Sequence, residues 1–154
     1  MAIGLVLISL TLACGADPQV TALAQAPWPY ATGPSKEFVV RSTAELVAAS
    51  PYKKKDDGEQ TVMDDVTKAL KVKNIDWKTQ MLVVIRLEKV HPRGIVMGKL
   101  EVGKEELTVH YLYWEPVESR EGDPKPKPTD GAIMALVDRF EGKVKFQGAQ
   151  HTPK

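Results

Sequence analysis

The run Met81-Leu82-Val83-Val84-Ile85-Arg86-Leu87 limits the fold of this chain more than any other segment. Six of its seven residues are apolar, and nothing in it alternates. A strand with one face in water alternates polar and apolar residues, whereas a strand covered on both faces does not. The run is short for a buried helix and rich in β-branched residues, which favours a strand. It therefore predicts a central strand with a layer packed on each side, and the rest of the chain must supply those layers.

The neighbouring segments carry shorter-range signals. Glu37-Phe38-Val39-Val40-Arg41 predicts a short strand. Ser42-Thr43-Ala44-Glu45 has the spacing of a capping box, so a helix over about Thr43 to Ala49 is expected. It ends near Ser50-Pro51, because the residue before a proline avoids helical dihedrals. Val62, Val66 and Leu70 recur every fourth residue, with Met63 and Ala69 beside them, and predict an amphipathic helix. The charge run Lys53 to Gly58 reads as a solvated loop. Ile95 to Val102 and Leu107 to Trp114 predict a hairpin about Gly103-Lys104-Glu105. Ile133 to Arg139 and Lys143 to Phe146 predict a second about Glu141-Gly142. Within Leu107 to Trp114, one face holds Leu107, Val109, Tyr111 and Tyr113. The other holds Thr108, His110, Leu112 and Trp114, so both are largely apolar and the strand is expected inside.

The expected fold class is α+β and β-rich: a mostly antiparallel sheet, open barrel or sandwich of about six strands with one or two short helices. A length of 154 residues suits one domain, placed at 36–147 with a frayed tail over 148–154. With 43% hydrophobic and 27% charged residues the chain can build a packed core. A net charge of +1 supplies no basic field for nucleic acid.

The N-terminus carries a different kind of information. Ala2 to Ala13 is uncharged, too short for the ~20 apolar residues that span a bilayer, and fits a signal-peptide core. It ends in Thr11-Leu12-Ala13-Cys14, which resembles a lipobox of bacterial lipoproteins. The resemblance implies removal of residues 1–13, acylation of Cys14, export, and a lipid anchor in the cell envelope. The alternative is a plain cleaved signal and a soluble secreted or periplasmic protein. An exported free thiol is open to oxidation, which acylation prevents, and two or three acyl chains hold where one is marginal. Gly15 to Ser35 is rich in alanine, proline and glycine without helical or strand period, and is expected to be a flexible tether over 14–35. A coil of that length reaches about 25 Å. Trp28 and Tyr30 stand out in it as aromatics that dock on the domain or sit at the headgroup level.

The chain has no phosphate-cradling glycine loop, no G-x-S-x-G and no H-E-x-x-H. One cysteine gives neither an internal disulfide nor a multi-cysteine zinc site. A metal pair of His91 and His110 needs an adjacency that the sequence does not display. Asp64 and Asp65 diverge on a helix and do not form an acid–base pair. No catalytic residue, metal ligand or cofactor is therefore assigned. Two loops offer binding chemistry instead. Lys89 to Gly94 carries His91 and Arg93. Glu121 to Gly131 carries Lys125 and Lys127 between prolines at every second position, a stiff extended segment that loses little entropy on binding. Trp114 lies near a strand end and suits an aromatic anchor. These five residues are the candidate partner-binding set.

Ile75-Asp76-Trp77 followed by the strand run resembles the opening of the C-terminal domain of PrcB-type proteins. Arg93-Gly94-Ile95 falls where that family has a glycine turn, and Pro128-Thr129-Asp130-Gly131 with the segments to Phe146 resembles its closing proline-led hairpin. The resemblance covers about Ile75 to Phe146. It implies an accessory or binding module of the envelope, in a family associated with stabilising a surface protease complex, and names no catalytic residue. The leading expectation is thus a lipid-anchored interaction module for another envelope or surface protein. The alternatives are a small-ligand or metal-binding lipoprotein and an envelope hydrolase.

Overall fold

A computed structural model describes residues 17–27, 30, 34–49, 58–90, 94–114 and 129–151. Its elements are β1 (Val20–Gln25), β2 (Lys36–Val40), α1 (Thr43–Ala48), α2 (Gly58–Leu70), β3 (Gln80–Val90), β4 (Ile95–Val102), β5 (Glu106–Tyr113), β6 (Thr129–Asp138) and β7 (Lys143–Gln150). The chain is α+β and β-rich. A four-stranded antiparallel sheet in the order β1-β6-β3-β2 faces a three-stranded sheet in the order β4-β5-β7. In the smaller sheet β4 is antiparallel to β5, and β7 is parallel to it.

β3 occupies the central position that its composition demands, and Met81, Leu82, Val83, Val84 and Ile85 are all fully buried. Leu82 and Val84 face the helices, packing with Val40, Leu46, Val62, Val66, Met134 and Leu136. Met81, Val83 and Ile85 face the second sheet, packing with Leu107, Val109, Ile133, Ala135 and Val137. With a core on each side, neither set of alternating positions meets water, so the run shows no alternation. Burying each such side chain contributes about 1.5–3 kcal/mol. β6 is built the same way, with Ala132 to Val137 buried.

The helices follow their local signals. Ser42 caps α1, its Oγ accepting the Glu45 backbone N–H at 3.1 Å. The Glu45 carboxylate closes the box one residue early, on the Arg41 N–H at 2.6 Å. Val62, Val66 and Leu70 form the buried face of α2, and Lys71 just beyond it has φ 57°, a left-handed helix end.

Four expectations are corrected. The tether is not coil throughout, because Val20–Gln25 forms β1 on the outer side of β6. Ala22 and Ala24 pack against the helix-side core, and Tyr30 is buried with its hydroxyl donating to the Leu46 carbonyl at 2.8 Å. Seven strands stand among the described residues, in line with the expected six or so. β6 and β7 are not a hairpin. Both edges of β6 are taken by β1 and β3, so the chain after Asp138 crosses to the other sheet and β7 pairs with β5. The frayed tail begins later than expected, since β7 runs to Gln150 and the His151 N–H donates to the Tyr113 carbonyl at 2.8 Å. β5 is central in its sheet but covered on one face only; Leu112 on the other is 39% exposed.

Candidate functional site: two loop stems at one pole

Strand direction gives the sandwich two poles. The pairs Gln80↔Asp138, Val20↔Val137 and Val102↔Leu107 mark one, and Val90↔Thr129 and Ile95↔Tyr113 mark the other. At this second pole β3, β5 and β7 end and β4 and β6 begin. The stems of both candidate loops, β3–β4 and β5–β6, are therefore neighbours. A Cβ added at Gly131 would lie 2.6 Å from Val90 and 3.5 Å from Ile95, so the approach is tight and requires glycine. His91, Arg93, Lys125 and Lys127 lie outside the described residues, as does Cys14.

Among the described residues, two of the bonds at the stems are long. Lys89 sits in a register shift between Leu87 and Val90 with φ 53°, and its N–H reaches Asp130 Oδ1 at 3.4 Å. Such a bulge bends a strand and re-aims the chain beyond it. Gly94 has φ 74°, and its carbonyl accepts from the Trp114 N–H at 3.4 Å. The Trp114 ring lies 5.0 Å from the His151 ring at an interplanar angle of 32°. Its indole Nε1 is shielded from solvent and has no hydrogen-bond partner among the described residues. An orphaned donor costs about 1–3 kcal/mol, which a bound acceptor would restore.

Beside the stems, a cleft of about 330 Å³ opens between the sheets, lined by Ser35, Leu87, Glu88, Lys89, Val90, Tyr111 and Tyr113. Two of its polar groups are engaged by the protein itself. Ser35 Oγ accepts the Glu88 N–H at 3.0 Å, and the Tyr111 hydroxyl donates to the Glu37 carboxylate across the two sheets. Burial first, and then the bond to Glu37, push the Tyr111 pKa above the ordinary phenol value. A larger groove of about 500 Å³ runs along the helices past Thr43, Gln60, Asp64 and Thr67. There Thr43 accepts from the Trp77 indole at 2.9 Å and Gln60 donates to Asp64 at 2.7 Å.

The remaining expected residues separate. His110 lies on the outer face of the smaller sheet, 3.1 Å from Glu101. Lys99 first, and His110 second, hold the Glu101 carboxyl below the usual range. Among the described residues no three His, Cys, Asp or Glu side chains gather as a metal-holding group, and no helix is long and apolar enough to cross a membrane. Sequence reasoning missed His151 beside Trp114, Glu37 beneath Tyr111, and Asp130 at the β6 stem. The inward register of Tyr111 was legible from strand alternation, but its partner lies 74 residues away. Neither a protein family, nor a curated protein, nor a solved structure matches the chain.

Proposed function

We propose that this chain is a non-catalytic, lipid-anchored accessory module of the cell envelope that binds another envelope or surface protein with the loop pole. The observation that carries the reading is that one pole gathers both loop stems, Trp114 and His151. Loops on a rigid scaffold are the usual place for recognition. The N-terminal segment enters at the opposite pole, where the Gln19 N–H meets Asp138 Oδ2 at 2.9 Å, so an anchor at Cys14 leaves the loops open. From Cys14 to Gln19 the chain spans at most about 18 Å, which holds the domain close to the bilayer. The resemblance of Ile75 to Phe146 to PrcB-type domains points to the same class of role. Protein binding is preferred to small-ligand binding because Ser35 and Tyr111 in the cleft already bond to the protein.

The test is a cross-linking pull-down from solubilised envelope with the anchored chain. Lys125→Glu with Lys127→Glu, and separately Arg93→Glu, should leave the melting temperature almost unchanged and lower partner recovery. Palmitate-analogue labelling should tag the chain and be lost in Cys14→Ser. Unchanged recovery in both charge-reversal variants sinks the loop surface, and labelling that persists in Cys14→Ser sinks the anchor.

A further inference from the structure

Of the four sheet edges, β1 differs from the other three. An open edge offers unpaired N–H and C=O groups to any passing strand, and proteins block this with lysines, other charges, bulges or prolines. β2 carries Lys36 and Glu37, β4 carries Lys99 and Glu101 with a register shift between Met97 and Leu100, and β7 carries Lys143 and Lys145. β1 reads Val20-Thr21-Ala22-Leu23-Ala24-Gln25, with no charge and no proline. Its one register shift lies between Val20 and Ala22, so Ala22 to Gln25 is a regular edge.

The register tells which groups face outward. Ala26 donates to the Ala132 carbonyl at 3.0 Å, and the pairs Ala24↔Met134 and Ala22↔Leu136 lie at the same two-residue period. The backbone groups of Ala22, Ala24 and Ala26 therefore point to β6, and those of Leu23 and Gln25 point away from it. Leu23 is 52% exposed and Val20 39% exposed on the side of the smaller sheet.

We propose that this edge pairs, antiparallel, with β1 of a second copy of the chain. The pattern of the strand selects that occupant, because it reads nearly the same in both directions about Leu23. A two-fold axis there sets Leu23 against Leu23, Ala22 against Ala24, and Thr21 against Gln25. No like charges meet, and on the helix side the seam holds only alanines, so the two helix layers need not move apart. The contact is isologous, uses the β1 edge that no described residue pairs with in either copy, and stops at a dimer with one eight-stranded sheet. The two-fold is perpendicular to the sheet. The two Gln19 residues sit on either side of it, and each Cys14, within about 18 Å of its Gln19, reaches a membrane plane normal to the axis.

Native mass spectrometry of the full chain in detergent over a concentration series reads the stoichiometry. A dimer without higher species is expected. Leu23→Lys should weaken self-association at least tenfold, with a melting temperature equal to the parent's at concentrations where both are monomeric, because the Leu23 side chain is exposed and its backbone groups face away from β6. Independently of any loss of fold in that variant, Leu23→Cys in a Cys14→Ser background should form a bis-maleimide-linked dimer in high yield, while Lys104→Cys, at the exposed β4–β5 turn, should not. A chain monomeric at every concentration, a dimer unaffected by Leu23→Lys, a ladder of larger species, or Leu23→Cys linking no better than Lys104→Cys overturns the proposal. So does a monomeric chain whose β1 edge instead takes up an extended segment of another protein.

Discussion

The two poles of the sandwich are held by different means. At the pole of Gln19 and Asp138, two arginines tie the layers together. The Arg139 guanidinium donates to the carbonyls of Arg41, at 3.1 Å, and Trp77, and pairs with Glu141. Arg41 donates to the carbonyls of Phe140 and Gly142 at 3.3 and 3.2 Å. The Arg139 N–H adds a bond to Thr79 at 2.8 Å. Glu141 is held below the usual carboxylate range, chiefly by its bond to Arg139. At the loop pole the described stems combine two contacts of 3.4 Å, two left-handed residues and an orphaned indole with one short bond, from the His151 N–H to the Tyr113 carbonyl at 2.8 Å. The first pole is tied by arginine bonds to part-buried carbonyls; among the described residues the second keeps one unpaired donor, the Trp114 indole. Under the function proposed above, the loop pole is the end that binds.

The largest effect should come from the element common to both poles. Val84→Asp places an unpaired carboxylate in the helix-side core, at a cost of several kcal/mol against a total stability of about 5–15. Loss of the cooperative thermal transition is expected, and a folded variant would mean that β3 is not the centre of the molecule.

A matched pair of substitutions then compares the poles directly. Arg139→Ala strands the carbonyls of Arg41 and Trp77 and should lower the melting temperature clearly. Trp114→Phe removes a donor that bonds to nothing described and keeps an aromatic ring beside His151, so the melting temperature should move little. Equal losses from both, read by differential scanning calorimetry, would erase the distinction between the two poles.

The smallest effect is a pH dependence at Tyr111. Its folded pKa is raised, first by burial and then by the Glu37 acceptor. The unfolded phenol loses its proton near ~10, the folded one later. The bond's stabilisation is therefore complete below about pH 10 and declines as pH rises above it. Tyr111→Phe should be less stable than the parent at pH 8, with a gap that narrows by pH 11 in denaturant melts. A gap independent of pH would show that the hydroxyl does not stay protonated in the fold.

Gly148 lies beneath Tyr111, and an added Cβ would fall 2.5 Å from the ring. The pairing Tyr111↔Gly148 explains why a residue poor in strand propensity stands in β7, with the tyrosine covering the gap it leaves. Nothing near Gly148 in the sequence announces this. By contrast, the register of α2 and the double-sided burial of β3 were read from residues three or four apart, or adjacent. The strand β1 escaped because its inward positions are alanines, too small to mark an alternation among prolines and glycines, and because its partner β6 lies more than a hundred residues on.

By itself the sequence determined the elements whose signals are local: β3 from its unbroken apolar run, α2 from its four-residue spacing, the Ser42 cap, and the β4–β5 hairpin about Gly103. In each, the residues that decide the conformation are close along the chain, so pattern and propensity suffice. Tertiary structure decided which strands became neighbours. β7 runs parallel to β5 because β6 had no free edge, Tyr30 closes the helix-side core from within an apparent tether, and the loop stems meet because β3 and β6 pair across some forty residues, as Lys89 and Asp130 do. These outcomes depend on which surfaces remain uncovered once the local elements have packed, and that competition among distant segments leaves no periodic trace in any one of them.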